Sequence, residues 1–428
     1  MHPDGTSRIL NGDVPVANPV TVHQNRVIVG ELRMGGQIRE FDRSTGAARL
    51  ILGDVPMPNA FEVGPDGKLY FPAQGANEIW RVSLDGGAPE VVAKDLGIPD
   101  SVKFDSQGFI ISTQVGSGQV LRIDPRTGAK EVLADIAPGL DNCTLIGERL
   151  FVSHITGALY EVSGGKARAL IESGFQWPMG LAVDESGTVH VADGMFAYAI
   201  APGQPRRMTG NLFGGNFPGF LRGMGYAGGG KLLTSTANGT VARWTPGSEP
   251  ELLASGFDRL MGVAAGPGGT VAFADYDTGR VMLVEGDKVS ELASGLDKPM
   301  GVAVAADGAV YVAESGKGRV VKLAGGRTET VIDGLGEPQG IAVQGGKLFV
   351  LDVAGKQVVE SDLSGGGQRT IASGLPVGAP AGVAPKPLGG VGDMCGPMTS
   401  FAGLAAGADG SLYLSGDAEG SVLSLRQG

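Results

Sequence analysis

The chain has 428 residues, of which 18% are charged, and a formal net charge of −11. That acidic balance argues against nucleic acid as a partner, because phosphate recognition calls for a basic face, and two cysteines, Cys143 and Cys395, are too few for a disulfide framework. Length alone suggests two or three domains, but 74 glycines point to a chain built from many turns with positive φ. No apolar run is long enough to span a bilayer. The opening residues, MHPDGTSRIL, lack a basic stretch followed by an apolar one, so no signal peptide is visible. A reducing cytoplasm is the simplest compartment, with export expected instead if a leader has been removed.

In chain order, the first segment, TSRILNGDVP, reads like an outer strand and parallels AARLILGDVP at 47–56. A unit of about 40 residues then recurs ten times. The residue before each first strand is Asn18, Asn59, Asp100, Asn142, Met179, Arg222, Met261, Met300, Gln339 and Ala402 in turn. The clearest copies lie at 260–296 and 299–335. Each copy holds four short runs of alternating or β-branched residues, with Asp-Gly or Gly-Gly between the first two, which predicts a four-stranded antiparallel blade. One blade cannot bury both faces of its sheet, whereas blades around an axis can. The C-terminal stretch supplies three strands and stops, so the N-terminal segment is expected to complete the last blade. The fold class expected is all-β: a single closed β-propeller of about ten four-stranded blades forming one domain over 1–428. Two long connections, 208–223 and 375–401, should decorate one mouth of the central channel, either to carry function or to plug a wide pore.

Two positions per blade should face that mouth. At the end of each second strand the repeat prefers an acid, as at Asp193, Asp275, Glu314 and Asp352. These acids have a structural reading. Arg280 and Arg319 follow Asp275 and Glu314 by five residues, where a hairpin pairs them, and an Asp also accepts N–H bonds within a turn. His154 departs from the pattern, near Asp141 and Asn142. An imidazole there would serve as general base or metal ligand, or would simply tie a neighbouring loop. The residues before the first strands divide into an oxygen-bearing arc, with Asn59, Asp100 and Asn142, and a thioether arc, with Met179, Met261 and Met300. The oxygen arc suits a hard cation or caps strand ends. The methionines pack between blades or, with Trp177, Gln339 and Phe217, wall a site for an apolar substrate. Arg222 would hold a carboxylate, polarise a carbonyl or pair with an acid. Cys395 has neither base nor cation near it in sequence. A nucleophile elbow, a P-loop and a paired-cysteine zinc motif are all missing.

The pattern P-x-G-[VIL]-A-V-x-x-x-G-x-[VL]-[YF]-V-A-[DE]-x-x-x-x-[RK]-[VI] resembles NHL-repeat and SMP-30/gluconolactonase-like propellers over nearly the whole chain. It fits best at 260–372 and in part at WPMGLAVDESGTVHVAD. The resemblance implies a divalent cation (Ca, Mg, Mn or Zn) held by Glu, Asn and Asp. Asn59, Asp100 and Asn142 match that chemistry, and Glu31 is the nearest substitute for the family's Glu. No organic cofactor is expected. The implied activity is hydrolysis of a lactone or ester of a small apolar substrate at the channel mouth, with His154 or Asp141 taking the proton and Arg222 steadying the oxyanion. The expected partner is a small molecule, with neither nucleic acid nor membrane. A lyase or cyclase of the same superfamily is the first alternative. A non-catalytic propeller that binds a protein or glycan is the second.

Overall fold

The computed structural model describes residues 8–380, 382–383 and 399–426. Its strands form ten antiparallel sheets, nine of four strands and one of three. The ten repeats of the sequence are these ten sheets. The chain divides into two compact units, Met1–Gly174 and Phe175–Gly428. The first holds the sheets at 17–55, 62–93, 103–135 and 140–171; the second holds those at 181–211, 221–254, 260–293, 299–332, 338–373 and 404–425.

The sheet at 299–332 shows how sequence becomes blade. Strands Pro299–Val304 and Val310–Glu314 are joined through Asp307-Gly308. Gly308 takes φ 85°, which an L-residue adopts only with strain, and the Asp307 carboxylate accepts the Ala309 N–H at 3.0 Å. Alternate residues then face opposite neighbours. Val302, Val310, Val312 and Val321 pack against Ala272, Ala274 and Val281 of the preceding sheet. Ala303, Tyr311 and Val320 pack against Ile341, Leu348 and Val350 of the following one. Burial on both faces explains why this strand is a continuous apolar run. The first unit is layered in the same way, for example Ile28 and Ile38 against Phe61, Leu69 and Phe71.

Within the second unit the first strands of the six sheets approach one another through glycine. A Cβ on Gly180, Gly223, Gly262, Gly301, Gly340 or Gly403 would lie 2.1–2.8 Å from a backbone atom of the adjacent sheet. For Gly301 that atom is the Gln339 carbonyl oxygen; for Gly403, in the last sheet, it is the Met179 carbonyl oxygen, ahead of the first. A hydroxyl bond repeats the relation. Ser235 Oγ donates to the Met261 carbonyl of the next sheet, and Ser415 Oγ donates to the Met179 carbonyl. Closure therefore runs through these six sheets. The expected ring through all ten differs because a repeat looks alike wherever a ring closes. Closure is decided by contacts such as Ser415 to Met179, which local sequence does not encode.

The N-terminal segment expected to complete the last sheet lies partly outside the described residues. Its described part forms no strand, and Arg8 donates to the carbonyls of Arg43 at 2.5 Å and Ser44 at 2.9 Å. Among the described residues the last sheet has three strands, Leu404–Ala406, Leu412–Gly416 and Ser421–Leu425. No helix among the described residues is long and apolar enough to cross a membrane.

Candidate functional site

The acids that end the second strands are structural. Asp275 accepts from Arg280 at 2.8 Å, and Glu314 from Arg319 at 2.5 Å and from the Asp297 N–H at 2.8 Å. Asp352 accepts the Gly336, Glu337 and Gly355 N–H groups at 3.1, 2.8 and 3.3 Å. Glu314 and Asp352 pin the connections that lead into their own blades, and Asp275 ties its hairpin.

The second unit contains a cavity of about 360 Å³ lined by Trp177, Met179, Phe220, Arg222, Phe401 and Asp417, with Thr399, Ser400 and Gly378–Pro380 at its edge. The loop ahead of the first strand in the 181–211 sheet supplies Trp177 and Met179. The first insertion ends in Phe220, whose ring meets Trp177 edge-on at 5.7 Å. Arg222 begins the next sheet and is 1% exposed. The second insertion contributes both its ends: Gly378 on one side, and on the other Thr399, which accepts from Arg259 Nη1 at 2.6 Å. Asp417 follows Gly416 at the end of a second strand, accepts the Gly378 N–H at 2.9 Å, and has its carboxyl raised by burial. The cavity therefore has aromatic and thioether walls, one buried guanidinium and one carboxyl made more basic by its surroundings.

Of the residues expected to contact substrate, Trp177 and Met179 line this cavity. Met261 and Met300 are 0% and 2% exposed and pack in one cluster with Met179, Phe220 and Phe401. Gln339 is a tie between sheets: its Nε2 donates to Glu337 at 2.9 Å and its Oε1 accepts the Ala402 N–H at 2.7 Å. Phe217 turns to the sheet instead, edge-on to Trp244 at 5.6 Å.

The remaining candidates belong to the first unit. Asp100 is buried, accepts from Asn59 Nδ2 at 2.7 Å and from Gln74 Nε2 at 3.2 Å, and bonds to Asp141. Burial first, and the Asp141 charge second, push its carboxyl up to about 7. Asn142 is exposed, and its N–H donates to Ser153 Oγ at 3.0 Å. Glu31 is engaged elsewhere, 2.7 Å from Arg33 and 3.6 Å from Arg39. His154 Nδ1 accepts the Thr156 N–H at 3.1 Å, which places the proton on Nε2, 2.9 Å from the Pro138 carbonyl. Both ring nitrogens are thus occupied, and burial lowers the pKa of the ring. Among the described residues, no three His, Cys, Asp or Glu side chains form a group able to hold a metal. Cys143 is buried and free, and burial pushes its thiol up to about 11; Cys395 lies outside the described residues.

Sequence reasoning did not single out Asp417, Phe401 or Thr399. The one signal was Gly416, which stands where the repeat places an acid, with the acid displaced to the next residue.

No curated protein matches the chain. Among solved structures, a streptogramin B lyase is 16% identical over 75% of this chain and 96% of its own, with a TM-score of 0.34. A catalytically inactive virginiamycin B lyase from Staphylococcus aureus with quinupristin is 14% identical over 68% and 90%, with a TM-score of 0.35. The PQQ-bound aldose sugar dehydrogenase from Streptomyces coelicolor is 14% identical over 59% and 94%, with a TM-score of 0.43. One family model, described as an SMP-30/Gluconolactonase/LRE-like region, matches residues 20–158, within the first unit.

Proposed function

We propose that this protein is a hydrolase of a lactone or ester, and that its substrate is a small, largely apolar molecule held in the cavity of the second unit. The observation that carries this reading is that one cavity is lined by both Arg222 and Asp417 and is otherwise walled largely by Trp177, Met179, Phe220 and Phe401. The apolar body of the substrate lies against the rings and thioether, and its carbonyl turns to the guanidinium. Water attacks the carbonyl carbon while the Asp417 carboxylate takes its proton. A carboxylate made more basic by burial is the better acceptor. Arg222 donates to the oxyanion, a charge-assisted bond that strengthens as negative charge develops. When the C–O bond to the leaving alcohol breaks, Asp417 returns the proton to the departing oxygen. His154, with both nitrogens engaged, takes no part.

The test is a panel of alkyl-substituted γ- and δ-lactones and p-nitrophenyl esters. Asp417→Asn is expected to lower kcat/KM by about 100-fold or more. Trp177→Ala is expected to raise KM most for the longest alkyl groups. An unchanged rate in Asp417→Asn, or no turnover across the panel, rejects the reading.

A second reading rests on a different observation, the Asp100–Asp141 pair with Asn59 and Gln74 beside it. Two carboxylates and two amides fit a hard divalent cation, and the elevated Asp100 carboxyl marks a site short of positive charge. Asp100 and Asp141 would hold the ion, with Asn59 turning its amide oxygen inward. A divalent ion there would act as a Lewis acid toward a carbonyl. Millimolar Ca²⁺ or Mn²⁺ is then expected to raise the Tm of the wild type and not that of Asp100→Asn; equal shifts in both, or none, exclude it.

A further inference from the structure

Asp193 occupies the same position as Asp275 and Glu314, at the end of a second strand, yet its surroundings differ. The residue five places on is Tyr198, where those blades carry Arg280 and Arg319. The Tyr198 hydroxyl is buried without a hydrogen-bond partner in the structure. Asp193 is itself 1% exposed. Its two oxygens accept the backbone N–H groups of the loop above it: Oδ2 from Gln176 at 3.1 Å and Oδ1 from Trp177 at 2.5 Å. Trp177 is the residue whose ring forms one wall of the cavity. Arg206 acts on Asp193 electrostatically, and its guanidinium stacks over Phe175 and Tyr198 at 5.0 and 5.4 Å. At Asp275 and Glu314 an arginine neutralises the acid. Here the acid is spent on holding a cavity wall.

We propose that Asp193 is a positioning residue that fixes the Trp177 ring over the cavity through the Gln176 and Trp177 N–H groups, and that its protonation releases that wall. The inference rests on the cavity being the substrate site, but its test needs no turnover. A carboxylate offers acceptor capacity to both N–H groups, whereas a protonated carboxyl converts one oxygen into a donor and leaves one N–H without its partner. Burial raises the Asp193 carboxyl to about 6, so the change falls within a mild pH range. The charged and titratable groups facing Asp193 are Arg206 and Tyr198, and neither changes state between pH 5 and 7.5.

The experiment reads the wall directly. Acrylamide quenching of Trp177 is obtained as the difference between the wild type and Trp177→Phe, from pH 5 to 7.5. In parallel, 8-anilinonaphthalene-1-sulfonate, an apolar ring system with one anionic head, is titrated as a cavity probe. Wild-type Trp177 is expected to become about twofold more quenchable as pH falls through about 6, with a several-fold loss of probe affinity. Asp193→Asn is expected to show the low-pH behaviour at every pH, and Asp193→Glu to restore a pH-dependent transition. Quenching that does not change with pH in the wild type overturns the proposal without recourse to any variant. So does an identical pH dependence in Asp193→Asn. Lactone turnover is measured separately, so its absence would reject the hydrolase reading and leave this result standing.

Discussion

At the scale of single residues, the same side-chain type plays opposite parts according to what surrounds it. Asp275 and Glu314 have arginines beside them in the interior; Asp100 has Asn59, Gln74 and another carboxylate. A carboxyl raised from its ordinary value of 3.8 to about 7 binds more protons folded than unfolded between those two values. Stability therefore falls as pH rises through that window, and the full penalty is present above about 7. Asp100→Asn, which keeps the shape without the charge, is expected to be more stable than the wild type by about 1–3 kcal/mol at pH 8. The gap should shrink as the pH is lowered toward 5, which urea denaturation at the two pH values would show. The arginine-paired acids were legible in sequence because the partner sits five residues away across a hairpin. Asp417 was not, because its significance comes from the Gly378 N–H it accepts and the cavity it shares with Arg222, both of which arise only through the fold. His154 was legible as an exception to the repeat, but whether its nitrogens were free depended on Pro138 and Thr156 taking up their places in the turn.

At the scale of elements, strands and turns followed from local chemistry. Asp-Gly supplied the positive φ of the first hairpin, and the unbroken apolar run Val310–Ala313 matched a strand buried on both faces. The glycines of the first strands carry a second requirement that is less visible. Gly301 needs no positive φ, so its constraint is purely steric: a methyl group there would sit 2.1 Å from the Gln339 carbonyl oxygen. Gly301→Ala is expected to cost about 1–3 kcal/mol by forcing two sheets apart. Gly53→Ala, in strand Ala48–Val55 with nothing within 4 Å of the added carbon, is expected to be neutral or slightly stabilising. Comparable losses in both variants would show that glycine serves these strands through flexibility and not through close approach.

At the scale of the whole chain, counting repeats gave ten sheets, while the pairing of the last sheet of the second unit with its first remained hidden in contacts such as Ser415 to Met179. Since the six sheets of that unit cover one another's faces, residues 175–428 are expected to fold when produced alone and to melt in one cooperative step with native-like β circular dichroism. A broad, non-cooperative melt would mean that the unit depends on residues before 175. The cavity inherits its walls from this arrangement, because closure brings Phe401 and Asp417 of the last sheet beside Trp177 and Arg222 of the first two.

The glycines that let the six first strands approach so closely also leave little between them. The axial space they line together with Phe401 is only about 30 Å³, far below the volume of a small-molecule site. Among the described residues, this space offers an organic molecule in the adjoining cavity no exit along the axis. If the cavity holds the substrate as proposed, the described residues leave product and incoming substrate to contend for one doorway, and traffic through it is expected to limit turnover in a way that faster chemistry alone would not lift.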